Sequence, residues 1–432
     1  MPEKPILQVA LDLMNLHRIL KIAEEAVEGG VDWLEAGTPL IKSEGMDSVR
    51  ELKKRFPGKK IVADMKTMDT GAYEVEMASK AGADVVIVMA QADDSTIRES
   101  VRAAERYGTE IMADLIGVEK KAERAKQVQD LGVHYLCVHV SIDEQMLGKD
   151  PLAELREVSD VSQVPVAVAG GLNSETAVPA LEAGASIIIV GGAIVKAPNV
   201  TEATSNIRKA IDQKEIVKSE LYKKYKEEEL YEVFSKVSTP NIADAMQKMG
   251  TMEGIVPRIN HGTKMVGQAL TVKTADGDWA KPVEAIEKAK KGDVVVVDVG
   301  GGRIAIWGEL ASWSCRQKGI SGVVIDGAAR DIDTILDIDF PVFSRHIAPR
   351  AGEPKGHGEI GCEIEVGGQR VRTGDWIVGD ESGVVVIPKG MAVEMANRAM
   401  DVFERENRIR EEIQRGKTLS SVLELEKWET VD

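Results

Sequence analysis

Asp64 and Lys66 stand two residues apart at the end of a short apolar run, Ile61–Ala63, and Asp69 lies just beyond them. In an extended chain residues i and i+2 point the same way, so this carboxylate and ammonium share a face where the strand runs out. Alone, the pair is an ion pair. It gains chemical meaning because other apolar runs finish the same way: Asp12 follows Leu7–Leu11, Glu35 lies in Trp33–Ala36, Asp114 in Ile111–Leu115, and His139 closes Tyr135–His139. Glu35 and Asp64, on adjacent strands, can hold one hard divalent cation, Mg²⁺ by preference with Mn²⁺ as the alternative. Such an ion stabilises the enediolate left when a proton is removed next to a carbonyl. Histidine exchanges a proton near neutral pH, which makes His139 the acid/base candidate. Lys66 can neutralise developing charge or shuttle a proton. Its other role, a Schiff base, fits less well, because nearby carboxylates keep a lysine charged and poorly nucleophilic.

These groups need a frame that gathers strand ends. Apolar runs alternate with amphipathic segments such as Leu16–Glu28 and Ser95–Arg106, and the predicted strands are Leu7–Leu11, Trp33–Ala36, Ile61–Ala63, Val85–Met89, Ile111–Leu115, Tyr135–His139, Val164–Val168 and Ile187–Val190. Eight strand–helix units in about 210 residues match a (β/α)₈ TIM barrel, typically ~250 residues long. An open doubly wound sheet is the alternative, but no G-x-G-x-x-G follows the first strand. Barrel enzymes build their sites at the C-terminal strand ends and often hold a phosphate after strands seven and eight. Gly170-Gly171 and Gly191-Gly192 fall there; they are either tight turns or backbone N–H cradles for an anion.

The 432-residue chain is long enough for two or three domains. A net charge of −16 argues against general nucleic-acid binding. No run is apolar and long enough to span a bilayer, nothing resembles a signal peptide, and the three scattered cysteines suit a reduced, cytoplasmic setting. From Thr201 the sequence becomes charge-rich through Lys214, Lys218, Lys223, Lys224, Lys226 and Glu227–Glu229, which predicts the last barrel helix and a helical connector. The domains are therefore set at 1–215 and 216–432. The second half is predicted to be an α/β sandwich with helices Leu230–Lys236 and Asn241–Met249, strands Val294–Val299 and Val323–Ile325, and a hairpin within Glu363–Val371. Its chemistry would lie where Gly308, Glu309, Leu310 and Ala311 open a helix, with free N–H groups for a carboxylate, and at Arg330 and Asp331, a carboxylate clamp beside a metal-binding acid.

The segments Leu7–Asp12, Glu35–Lys42, Ala63–Asp69, Ala92–Thr96 and Ala169–Gly171 resemble the 3-hexulose-6-phosphate synthases of the orotidine-5′-phosphate decarboxylase superfamily, in order over residues 4–212. The resemblance implies a lyase: a Mg²⁺-dependent aldolase acting on formaldehyde and D-ribulose 5-phosphate. It implies Glu35 and Asp64 as metal ligands, His139 moving the C1 proton, Lys66 beside the enediolate, and Asp69 reaching the partner's site in a dimer. Asp12 and Asp114 join the glycine pairs as substrate contacts. The related 3-keto-L-gulonate-6-phosphate decarboxylases usually carry an arginine where this chain has Ile142, a departure that favours the synthase. The segments Ser238–Ala245, Gly308–Ala311, Asp326–Asp331 and Gly379–Val386 are similar to the RraA-like family, which implies trimers and either a Mg²⁺-dependent keto-acid aldolase or a ribonuclease-regulating or assembly module. On the aldolase reading Gly308–Ala311 and Arg330 hold the keto acid and Asp331 the metal; Glu309 stands where aldolases often have aspartate.

Overall fold

The computed structural model describes residues 4–149, 151–219, 221–423 and 425. Residues up to Lys224, together with those from Glu404 onward, form one compact unit; Tyr225–Phe403 form the other. This differs from the division at 215/216, which gave the whole C-terminal segment to the second domain. Among the described residues no helix is long and apolar enough to cross a membrane.

In the first unit β1 (Ile6–Leu11), β2 (Trp33–Ala36), β3 (Lys60–Thr67), β4 (Val85–Met89), β5 (Glu110–Asp114), β6 (Tyr135–His139), β7 (Val166–Ala169) and β8 (Ile187–Val190) close into a barrel. Neighbours are parallel, and β1 closes the ring on β8 from Ile6 opposite Ile187 to Val9 opposite Val190. The two-residue side-chain period divides each strand between two apolar layers. Leu7, Val9, Leu34, Ile61, Ala63, Val86, Val138 and Ile188 face the surrounding helices. Ala10, Trp33, Val62, Ile87, Met112, Cys137, Ala167 and Ile189 fill the interior. That same inward register carries Asp12, Glu35, Asp64, Asp114 and His139 to the C-terminal mouth. The other end is closed by Trp33 and Tyr135, edge to face at 5.6 Å, with the Lys60 ammonium 4.9 Å from the Trp33 ring centroid.

Two predicted segments come out differently. The Ile61–Ala63 run continues to Thr67 because β3 bulges against β4 between Ala63 and Thr67, with Lys66 at φ 48°. The bulge, rather than plain alternation, aims Lys66 inward. Among the described residues between Lys214 and Lys226 the connector forms no helix, and Glu227–Glu229 make a single 3₁₀ turn. The last barrel helix ends at Gln213, Lys214 turns left-handed at φ 53°, and the following backbone bonds to the barrel instead. Farther on, the C-terminal segment is tied to the barrel through Glu412, which accepts hydrogen bonds from Arg18 at 2.7 Å and Lys417 at 2.8 Å.

The second unit is built on a mixed nine-stranded sheet made from β9 (Val256–Arg258), β10 (Met265–Lys273), β11 (Val294–Asp298), β12 (Ala305–Trp307), β13 (Gly322–Ala329), β14 (Val342–Ile347), β15 (Glu359–Ile360), β18 (Trp376–Asp380) and β19 (Gly383–Ile387). A separate hairpin pairs β16 (Ile364–Val366) with β17 (Gln369–Val371), as predicted. The helix expected over Asn241–Met249 runs instead over Thr239–Ala245, because Ser238 and Asn241 cap it reciprocally. β13 runs past Ile325 to Ala329, so Asp326 lies within a strand; its carboxylate is paired with Arg345 and accepts the Gly367 N–H at 2.8 Å.

Asp278 is the second unit's most heavily used buried carboxylate. It accepts backbone N–H groups from Lys355 at 2.9 Å, Ala280 at 3.1 Å, Gly356 at 3.3 Å and His357 at 2.8 Å. Burial opposes its ionisation, but these donors outweigh burial and lower its pKa to about 2. Removing the carboxylate takes away the shared partner of four backbone donors on exposed or half-buried residues, which water can partly replace, so Asp278→Ala is expected to cost about 1–3 kcal/mol in denaturant unfolding at pH 7. A depressed acid stabilises above its unfolded pKa of ~3.9 and loses that contribution as pH falls through about 2. The gap between variant and wild type should therefore shrink between pH 5 and pH 2.

Candidate active site

The mouth of the barrel encloses a cavity of about 380 Å³ lined by Asp12, Glu35, Asp64, Lys66, Asp114 and His139 together with both glycine pairs. Asp114 is its hub. Its Oδ2 lies 3.1 Å from Lys66 Nζ and 2.9 Å from His139 Nδ1, while Oδ1 accepts the Ile116 N–H at 2.9 Å. Burial would raise the acid's pKa, but His139, Lys66 and the Ile116 N–H hold it down at about 2. Asp114 therefore stays ionised, which fixes a proton on His139 Nδ1 and leaves Nε2 as the basic nitrogen. Asp64 sits 3.0 Å from Lys66 Nζ and accepts the Thr38 hydroxyl at 2.7 Å. Burial works against the Lys66 ammonium, yet Asp64 and Asp114 outweigh it and keep the lysine charged well above its usual range. An amine held charged by two carboxylates is a poor nucleophile for a Schiff base.

Glu35 and Asp64 are buried, and Asp12 stands beside them at the rim of the cavity with part of its surface open to solvent. Loss of water around its carboxylate and then the Asp64 charge raise Asp12 to about 6, while burial and the Asp64 charge push Glu35 well above the carboxylate range. Gln8 Nε2 donates to Glu35 at 2.5 Å, while Gln8 Oε1 is buried without a partner among the described residues. Crowded carboxylates that share the single Lys66 charge with Asp114, with a spare amide oxygen beside them, form a donor set that a hard divalent cation fits. The trio of donor atoms lying within 4.8 Å of one another among the described residues is different: Asp114, Cys137 and His139. Asp114 and His139 are already bonded to each other, and burial followed by Asp114 keeps the Cys137 thiol protonated. That trio is therefore a poor ligand set.

Gly170 and Gly171 adopt φ 109° and 70°, which explains the need for glycine there, and Gly191 and Gly192 face the same cavity. Asp69 lies outside the cavity; it is exposed and accepts the Thr70 N–H at 2.7 Å. Thr38, Gln8, Gln145 and Tyr222 were missed from sequence. Gln8 had a visible signal, a polar residue in a strand otherwise built of Ile6, Leu7, Val9, Ala10 and Leu11.

In the second unit Gly308 caps the helix Glu309–Lys318, and the Arg330 and Asp331 side chains come to its start. Glu309 N–H donates to Asp331 Oδ2 at 3.3 Å, and Arg330 Nε lies 3.4 Å from the same oxygen. Asp331 takes a left-handed φ of 57°, and a β-carbon at Gly308 would collide with its carboxylate. The helix start expected to receive a ligand carboxylate thus meets one from the chain itself. Ala311 is half-buried, and Leu310 is 76% exposed.

A closed barrel whose mouth joins buried carboxylates, a charged lysine and an oriented histidine has the architecture of a barrel enzyme, with its acid–base groups at the C-terminal strand ends. Residues 5–207 match the Orotidine 5'-phosphate decarboxylase / HUMPS family, and residues 239–386 match the RraA-like family (Aldolase/RraA). The chain is 42% identical over 205 residues to the 3-hexulose-6-phosphate synthase of Mycobacterium gastri, covering 48% of this chain and 99% of that protein. It is 38% identical over 208 residues to the one from Bacillus subtilis (strain 168), again 48% of this chain and 99% of the relative. A crystal structure of 3-hexulose-6-phosphate synthase aligns with a TM-score of 0.46 at 42% identity, over 48% of this chain and 99% of that one. The chain belongs to the orotidine 5′-phosphate decarboxylase / HUMPS family through its barrel, which is fused to an RraA-like domain. The barrel is a carbon–carbon lyase of the 3-hexulose-6-phosphate synthase type.

Proposed function

We propose that the barrel joins formaldehyde to D-ribulose 5-phosphate, giving D-arabino-hex-3-ulose 6-phosphate, and that it catalyses the reverse cleavage. The observation that carries this reading is the Lys66–Asp114–His139 chain, set in one cavity with the Glu35 and Asp64 carboxylates and two glycine pairs. Glu35 and Asp64 would hold Mg²⁺, which when bound supplies Lewis-acid stabilisation of negative charge on the substrate oxygens. His139 Nε2 takes the proton from C1 of the ketose. Lys66 faces the oxygens on which charge develops, and Asp114 keeps both cationic partners in place. The C1 carbanion then forms a bond to the formaldehyde carbon, whose oxygen takes up a proton to finish the hydroxymethyl group. In reverse the same carbon–carbon bond breaks.

Ile142 lines the cavity where a decarboxylating relative would present an arginine. An alkyl group donates no proton to an enediolate, and this favours the synthase over the decarboxylase. The test supplies the full chain and Mg²⁺ with ribulose 5-phosphate plus formaldehyde, and in parallel with 3-keto-L-gulonate 6-phosphate. Formaldehyde-dependent loss of ribulose 5-phosphate is expected; decarboxylation alone would replace this reading with the other.

For the second unit we propose a metal-dependent keto-acid lyase, supported by the meeting of Arg330 and Asp331 at one helix start. The full chain with Mg²⁺ should cleave oxaloacetate or 4-hydroxy-4-methyl-2-oxoglutarate. Arg330→Ala should lower that rate by about 10²-fold or more, through loss of a bidentate carboxylate clamp, while the barrel reaction stays within about twofold. If no keto acid turns over, the unit is a binding module.

A further inference from the structure

One wall of the barrel cavity comes from outside the eight strand–helix units. The connector lies along the loop after β7: Ser174 Oγ donates to the Val217 carbonyl at 2.7 Å, Asn173 Nδ2 to the Leu221 carbonyl at 3.3 Å, and Ser219 N–H to Glu175 Oε1 at 2.7 Å. This strap leads to Tyr222, whose N–H donates to Glu404 Oε1 at 2.7 Å. Glu404 belongs to the C-terminal segment of the same unit. Tyr222 is only 8% exposed and sits at φ 56°, a conformation that a tyrosine keeps when its surroundings hold it there.

The ring covers Gly192 so closely that a β-carbon on that glycine would overlap it. The phenol oxygen is 3.5 Å from Gln145 Oε1. Lys224 Nζ lies 4.0 Å and Lys196 Nζ 5.3 Å from the ring centroid. Ring, Gln145 and both glycine pairs line one cavity, so Tyr222 is a wall of that space and does not fill it. The family match stops at residue 207, and 205 to 208 residues of this chain already span 99% of the two synthases named above. The barrel those proteins share is complete without the strap.

We propose that Tyr222 is a substrate-positioning residue that the connector adds to the barrel. It closes the glycine-lined end of the mouth over the phosphate group of the substrate, with Lys196 and Lys224 holding positive charge at its edge. This rests on the sugar-phosphate reading given above. Closing that end excludes water from the contacts that hold a dianion, and so strengthens them without touching the reacting carbon. The signature is therefore a change in binding with chemistry preserved.

The test uses the full chain as wild type, Tyr222→Ala, Tyr222→Phe and Glu404→Ala, with steady-state kinetics on ribulose 5-phosphate and calorimetric titration with inorganic phosphate. Tyr222→Ala is expected to raise KM for ribulose 5-phosphate, and Kd for phosphate, by about tenfold in parallel, with kcat within about threefold. Tyr222→Phe should stay within about twofold of wild type on all three, since a 3.5 Å hydroxyl contact contributes little. Glu404→Ala, which releases the strap's anchor and leaves the ring intact, should shift KM and Kd in the same direction by a smaller factor. This variant serves as the test if Tyr222→Ala does not fold. Unchanged KM and Kd would overturn the proposal, and so would a fall in both with faster turnover, which would make the ring an obstacle to the phosphate. If the wild type binds phosphate but leaves ribulose 5-phosphate and formaldehyde unchanged, the substrate reading fails. Weaker phosphate binding by Tyr222→Ala would then still support the strap.

Discussion

Asp64→Ala is expected to lower kcat/KM by about 10³-fold or more while the protein melts no lower than about 3 °C below wild type. The two effects separate because, on the proposed reading, Asp64 serves the reaction at the expense of the fold. Its charge is the leading electrostatic cause of the raised Asp12 and Glu35 pKa values, and it is one of two carboxylates on Lys66. Removing it takes away a proposed cation ligand and unbalances the lysine, and both losses fall on the transition state. It orphans little. Lys66 keeps Asp114 at 3.1 Å, and Thr38 keeps the residue-64 carbonyl at 3.0 Å. The relieved repulsion also has a pH signature. With cations chelated, an acid raised to about 6 in the fold gives its full stability below the unfolded value of ~3.9 and loses it as pH rises through 6. Asp64→Ala should flatten that decline. Thermal melts in chelator across pH 4–8, beside initial rates in Mg²⁺, measure both halves.

The second large effect is expected at the Asp114–His139 pair. His139→Ala removes the proposed base and should reduce kcat by about 10²–10⁴-fold, with KM for ribulose 5-phosphate within a few-fold, because the glycine pairs and Tyr222, and not the imidazole, are the proposed phosphate contacts. Asp114→Asn tests orientation: the amide keeps the shape but can offer its N–H to Nδ1, which moves the imidazole proton to the wrong nitrogen. It also removes a counter-charge from Lys66. A loss of about 10²–10³-fold in kcat is expected, and His139→Ala and Asp114→Asn together should cost little more than the worse of the two. Full additivity would mean that the two side chains act independently.

The barrel was legible because its strands are short apolar runs in which the few polar residues fall on the inward register. Asp12, Glu35, Asp114 and His139 could be assigned to one mouth from that pattern alone. Lys66 was assigned to the right place for the wrong reason, since a bulge with a left-handed residue aims it, and bulges leave little trace in local sequence. The connector was misread because charge density suggests a solvated helix, whereas its conformation is set by bonds to Asn173, Ser174 and Glu175, about 45 residues upstream. Tyr222 and the return of the C-terminal segment are consequences of that tertiary pairing and have no local signal. In the second unit the Gly308 helix start and the Arg330-Asp331 pair were visible as motifs. Their mutual contact was not, because it depends on how β12 and β13 pair and on the left-handed turn at Asp331.

The most direct measurement of the barrel's chemistry omits formaldehyde. Ribulose 5-phosphate is incubated in D₂O with the full chain and Mg²⁺, and the C1 protons are followed by NMR. If His139 removes a C1 proton within a carboxylate-held cation site, one of the two C1 positions exchanges for deuterium. That exchange stops with chelator, and falls by about 10²-fold or more in His139→Ala. Absence of exchange in the metal-replete wild type, or exchange that persists unchanged without His139, would contradict it.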